Sequence, residues 1–281
     1  GTVDFTSAAT TGTTIPATTY NNLTVNKASN TFTVSAGTLN VGGVLTVTAG
    51  ILDLDANDPT TTITSNVAIA GTLIAPSSGE LTFRGNWTND GTFTHSNGTV
   101  VPNPTGSSIT VGGTGTKTFY NFTANLPGKT IQFKHGTGGT DHTTFEGVLT
   151  LVGAHNNLIN IESTSGGTQW LVNISGAGSS VVTYASIKDS GCYSGTTTVS
   201  TDQYSNNNGN NGDCWGFVNH GGGVTNGGDG GGGSGGGVGQ SGGGQGGGGA
   251  EGGGEGQGQG GGGEGQGGGG QGGGGGGGDA P

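Results

Sequence analysis

Short runs in which Thr alternates with Val, Leu, Ile or Phe, broken at close intervals by Gly, Asn-Gly or Ser-Gly, constrain this chain more than any other feature. Thr31-Phe32-Thr33-Val34, Gly37-Thr38-Leu39-Asn40-Val41, Val44-Leu45-Thr46-Val47, Glu80-Leu81-Thr82-Phe83 and Gly98-Thr99-Val100-Val101 are examples. A period of two sets alternate side chains against a core and in solvent, as in a half-buried strand. Thr is abundant through the first part of the chain, and the usual helix builders are sparse, so strands and turns are favoured. The expected class is all-β. Runs this short and closely spaced suit the rungs of a parallel β-helix, or β-solenoid; tandem β-sandwich domains are the alternative.

A longer repeat overlies the short one. Tyr20-Asn21-Asn22-Leu23-Thr24-Val25-Asn26 matches Tyr120-Asn121-Phe122-Thr123-Ala124-Asn125, Gly43-Val44-Leu45-Thr46-Val47 matches Gly147-Val148-Leu149-Thr150-Leu151, and Gly1-Thr2-Val3 matches Gly98-Thr99-Val100. The offset stays at about 100 residues, and repeats of this kind bury their core by stacking on neighbours. This divides the body, residues 1–220, into units at 1–97 and 98–157. A terminal segment at 158–220 is richer in large apolar residues, with Trp215 and Phe217 closing the last layer. Gly1 then aligns with the middle of a unit, so the rungs that should precede it are missing. The strand Gly1, Thr2, Val3, Asp4 and Phe5 is expected to complete the sheet of another copy. The opening Gly, without Met or an apolar leader, reads as a terminus left by signal-peptide removal.

Residues 221–281 are of another kind. Gly fills most of the positions, and Val224 and Val238 are the only large apolar side chains there. Such a tail builds no core. It is read as either a disordered tether or an extended polyglycine-like helix packed against other subunits. The net charge of −11 and the single arginine, Arg84, leave no basic surface for nucleic acid. No stretch approaches the apolar length of a membrane span. The two cysteines, Cys192 and Cys214, are expected to form a disulfide, which points to an oxidising compartment.

Signals for chemistry are thin. Asp53, Asp55, Asn57 and Asp58 place oxygen ligands close together, as calcium loops do, but lack the Gly and Glu that complete such a loop; a solvated turn is the competing reading. His135, Asp141 and His142 share a Gly-rich loop without zinc-motif spacing. His95, His155 and His220 stand alone. No nucleophile elbow, zinc-protease motif or phosphate loop occurs, and no pair of carboxylates recurs in a strand frame, so neither catalysis nor a cofactor is expected. Thr-x-Thr steps at Thr31, Thr46, Thr92 and Thr116 could form an ice-binding ladder, or reflect only strand propensity. Asn-x-Ser/Thr triplets at Asn22, Asn86, Asn97, Asn121 and Asn173 are frequent enough to arise by chance.

The phrases Gly85-Asn86-Trp87-Thr88-Asn89-Asp90-Gly91-Thr92-Phe93-Thr94-His95-Ser96-Asn97-Gly98-Thr99-Val100 and Phe119-Tyr120-Asn121-Phe122-Thr123-Ala124-Asn125-Leu126-Pro127-Gly128-Lys129-Thr130 resemble the Gly/Thr/Asn-rich β-helix repeats of bacterial secreted cell-surface proteins and adhesins. The resemblance covers residues 1–217. It implies secretion and a structural or adhesive role, although such proteins are usually far longer. The leading expectation is a subunit of an extracellular filament or surface layer, with copies of the same chain as partners. An adhesin that binds surface glycans through Trp87, Trp170 and Tyr193 is the alternative, and an ice-binding protein the second.

Overall fold

In the computed structural model, which describes residues 1–6, 12–115, 117–135 and 142–218, the chain winds as a parallel β-solenoid of about nine turns. Every pairing between its strands is parallel, and no helix occurs among the described residues. Thirteen strands form a long sheet, eight a second sheet and four a third. One coil visits three faces. Leu23 and Val25 lie on the first, Phe32 and Val34 on the second, and Leu39 and Val41 on the third; all six side chains are buried. The first two faces belong to the long sheet at the start of the stack, and the third face is the second sheet. From Lys117 onward the third sheet, which starts at Lys117–Phe119, follows the first face in each coil.

The register fixes the true period. Leu23 stacks on Leu45, Leu45 on Val67, Val67 on Trp87 and Trp87 on Val111. The repeating element is therefore a single coil, the step from one of these residues to the next, and it lengthens between Ile131 and Ile161. The matches at the longer offset have a different meaning. Val3, Leu23 and Leu45 stack in order on the long sheet, and Val100, Phe122 and Leu149 stack in the same order on the second sheet. From Leu23, four coils lead to Val111, and two further faces lead to Phe122. The matching phrases are thus one local three-rung solution used twice, on two different faces.

Asn side chains at the corners explain what those phrases share. Asn22 Nδ2 donates to Thr2 Oγ1 in the coil before, and its Oδ1 accepts Val44 N–H in the coil after. Asn121 repeats both bonds, to Thr99 Oγ1 and from Val148 N–H. Asn66 accepts from Asn86 N–H, and Asn86 from Thr110 N–H. A corner interrupts the backbone ladder, and its N–H groups need partners. An Asn whose amide both donates and accepts meets that need between coils. Three of the Asn-x-Ser/Thr triplets, at Asn22, Asn86 and Asn121, are these corner residues.

Inside, aromatic rings run through the middle coils. Trp87 meets Phe83, Phe93 and Phe119 with centroids 5.3, 4.9 and 5.8 Å away. Phe119 continues to Phe122 and Phe145, and Phe133 stacks on Trp170 at 4.2 Å. Edge-to-face and offset geometry adds to the area these rings bury. Several contacts pin the last described coil. Cys192 and Cys214 form a disulfide; Trp215 pairs with Val199 and donates from Nε1 to Ser190 Oγ at 2.9 Å. The carboxylate of Asp189 accepts from Gly167 N–H and Asn210 Nδ2, while Asn211 Nδ2 donates to Ile187 O. The Asn-rich run thereby holds the last coil.

Two stability outcomes follow. Trp87 is fully buried and touches three other rings, so Trp87→Ala should cost about 3–5 kcal/mol in denaturant unfolding, as for other buried aromatic truncations. Replacing both Cys192 and Cys214 by Ser should cost about 3 kcal/mol on the chain-entropy model, read from the same curves with the oxidised protein as reference.

Candidate functional site

The two ends of the solenoid differ, and the difference centres on Thr2–Phe5. This strand pairs with Asn22–Val34 on one side. On the other side it is an edge of the long sheet. Gly1 O accepts Asn22 N–H. In a parallel ladder alternate residues face the same neighbour, so Gly1 and Val3 turn their backbone groups to the next coil, and Thr2 and Asp4 turn theirs outward. The core is open at the same place. Val3 begins the column that continues through buried Leu23 and Leu45, yet it is 42% exposed. Phe5 is only partly buried, edge-on to Tyr20 and Phe32. Thr99–Pro102, the strand of matching register on the second sheet, has a neighbour on each side, Glu80–Phe83 and Asn121–Asn125. The opposite edge of the long sheet is Asn206–Asn207, both exposed.

The four candidate calcium ligands point to three successive coils. Asp53 Oδ1 accepts the N–H groups of Asp55 and Ala56 within its own turn. Asn57 Nδ2 reaches back to Val34 O. Asp55 and Asp58 reach forward, to Ser77 N–H and Ser78 N–H respectively, and Ser77 Oγ also donates to Asp58. Their acceptor oxygens serve as turn caps and coil-to-coil staples. Among the described residues, no group of three or more His, Cys, Asp or Glu is arranged to hold a metal ion. His135 lies against Thr164, and His142 stacks on Tyr193 at 3.6 Å. Asp141, His220 and the whole Gly-rich tail lie outside the described residues.

The expected sugar platforms are corrected. Trp87 and Trp170 are each only 1% exposed; they sit on inward positions of their strands and belong to the core. Tyr193 is half-buried beneath His142. The outward aromatic pair is Tyr184 and Tyr204, parallel at 4.8 Å, with Tyr204 47% exposed. Sequence reading missed this pair because the two residues meet only across neighbouring coils. It also missed the contact of His95 Nε2 with Glu146 at 3.1 Å, in which His95 Nδ1 accepts Asn97 N–H and its ring stacks on Tyr120.

No family model matches this chain, and the comparisons with curated proteins and with solved structures found no match.

Hydrogen bonds, first of all from Ser78 N–H, hold the Asp58 carboxyl below its ordinary value of 3.8. A carboxylate favoured by the fold adds stability above its unfolded pKa and loses that contribution as pH falls through the lower folded pKa. Asp58→Asn should therefore flatten the fall in thermal midpoint below about pH 4, measured by circular dichroism across an acid series, and leave its slope near neutrality unchanged.

Proposed function

We propose that this chain is a structural subunit of a self-assembling extracellular filament or cell-surface layer, its copies joined head to tail by β-strand addition. The observation that carries the reading is the sheet edge at Thr2–Phe5, which has no second neighbour among the described residues and holds an exposed core residue, Val3. Free edges of this kind recruit further strands. The first and last strands of one sheet, Thr2–Phe5 and Asn206–Asn207, are both edges and run parallel within it. Joining one to the other in a second copy is a heterologous contact, which propagates into a filament unless its rotation closes a ring. The disulfide, the net charge of −11 and the Gly/Thr/Asn-rich repeats fit a secreted product.

Assembly should be visible as fibres by electron microscopy and as concentration-dependent growth in light scattering. Asp4→Pro removes an N–H from the outward side of the edge strand while sparing its bonds to Asn22–Val34. It should abolish fibres and leave the circular dichroism spectrum unchanged. A wild-type protein that sediments as a monomer at millimolar concentration, or an Asp4→Pro variant that polymerises as well as the parent, refutes the reading.

A further inference from the structure

The outer face of the second sheet carries a regular array that the assembly reading does not use. Leu39, Val41, Leu81, Phe83, Leu149 and Leu151 are among its side chains that point into the core. The alternate residues point outward and form two files along the stack. One file runs Asn40, Thr62, Thr82, Val101, Thr123, Thr150. The other runs Thr38, Thr60, Glu80 and Thr99 and ends at the corner residue Asn121, whose amide is bonded to Thr99 Oγ1 and Val148 N–H. The register of this sheet has no bulge. Its outward groups therefore repeat at about 4.8 Å across strands and about 6.6 Å along them. Of the Thr-x-Thr steps singled out in the sequence, those at Thr46 and Thr92 stack on Thr24 and Thr72 without a continuing Thr file, and Thr116 lies outside the described residues. On the long sheet Thr31 stacks on Ile51, and Thr33 on Asp53.

We infer that this face binds ice. Three properties select that occupant. First, charge: Glu80 is the one ionisable residue in the two files, on a chain of net charge −11, whereas outward positions of the long sheet include Asp4, Asp53 and Glu162. With one carboxylate among its outward groups, the face comes close to matching an uncharged lattice and offers little to a phosphate, a cation or a charged peptide. Second, it exposes methyl groups beside hydroxyls. Val148 and Val181 are 37% and 48% exposed, and both lie on this sheet. Third, it presents no aromatic ring in either file, so a sugar ring has nothing to stack on. A protein sheet closing over the Thr hydroxyls would strip them of water without replacing those bonds. Ordered water supplies donors and acceptors at each hydroxyl and encloses the methyl groups, at spacings set by the strands.

The inference concerns one face of a single molecule and stands apart from the assembly reading. The test uses the full chain, both as wild type and as Asp4→Pro, so that polymerisation and ice binding are scored separately. Ice crystals grown in the protein solution should be faceted, with a measurable gap between melting and freezing points. Thr82→Tyr and Thr123→Tyr, which raise a bulky ring from the plane, should each lose both effects. Thr46→Tyr, outward on the long sheet, should keep them. Thr82→Lys serves as the second probe if a Tyr variant fails to fold by circular dichroism. Round crystals and no thermal gap with the wild-type chain overturn the inference, as does equal loss in a folded Thr46→Tyr variant.

Discussion

The parallel backbone ladder between successive coils is the constraint on which everything else in this molecule depends. Each strand finds its hydrogen-bond partners in the coils before and after it, never within its own coil. A coil in isolation has neither a satisfied backbone nor a closed core. In-register stacking then places Leu on Leu, Phe on Phe and Thr on Thr along the axis. Inward columns become a continuous core, and outward columns become surface files. The same rule makes the ends of the stack the weak points, since the terminal coil lacks one of its two neighbours. At the C-terminal end the chain answers with a disulfide, a buried Trp and a set of Asn and Asp side chains. At Thr2–Phe5 the described residues offer no comparable closure.

Corners are the second requirement. Three faces per coil mean three corners in every coil, and backbone groups must be satisfied by other means wherever a corner interrupts the ladder; Asn22–Val34 and Leu45–Asp53 pass one corner as single strands with a register shift. This chain uses short polar side chains that span the distance between coils: Asn22, Asn66, Asn86 and Asn121 at the entries to strands, and Asp55, Asp58, Asp90 and Asp202 elsewhere. Positive φ at Asp58, Asn97, Asn156 and Asp189 falls at such turns, and Asn and Asp tolerate that region better than most residues. A composition rich in Asn, Asp and Gly, which in isolation reads as loops, is here a structural requirement of the coil.

Fold class, strand alternation and the disulfide were legible because each is carried by neighbouring residues or by a single pair. What was not legible depends on register. The period of the coil is concealed by variable corners, so the clearest repeat in the sequence is the one that skips four coils and two faces. Trp87 and Trp170 looked like platforms because large aromatics are conspicuous in a Thr-rich chain, yet each occupies an inward position of its strand. Thr61, Thr143 and Lys117 are buried polar residues at inward positions that alternation alone assigns to hydrophobes. Conversely, Thr62, Thr82, Thr123 and Thr150 are scattered in the sequence and share one outward file in space. Asp53, Asp55, Asn57 and Asp58 are adjacent in sequence, and the fold sends their side chains to different coils.

Because rows of outward residues run along the axis, length and surface are coupled. Each added coil extends the core by one layer and the outer face of the second sheet by one pair of groups. A contact made by a periodic face gains from every row that engages together, since rows after the first bind without a new loss of translational freedom. Head-to-tail addition through the long sheet would therefore extend the Thr files along with the filament, with no change to the residues that form them. The same in-register stacking that leaves an edge at Thr2–Phe5 is what gives the second sheet its regular spacing, so the end proposed to join copies and the face proposed to meet a lattice are two consequences of one geometry.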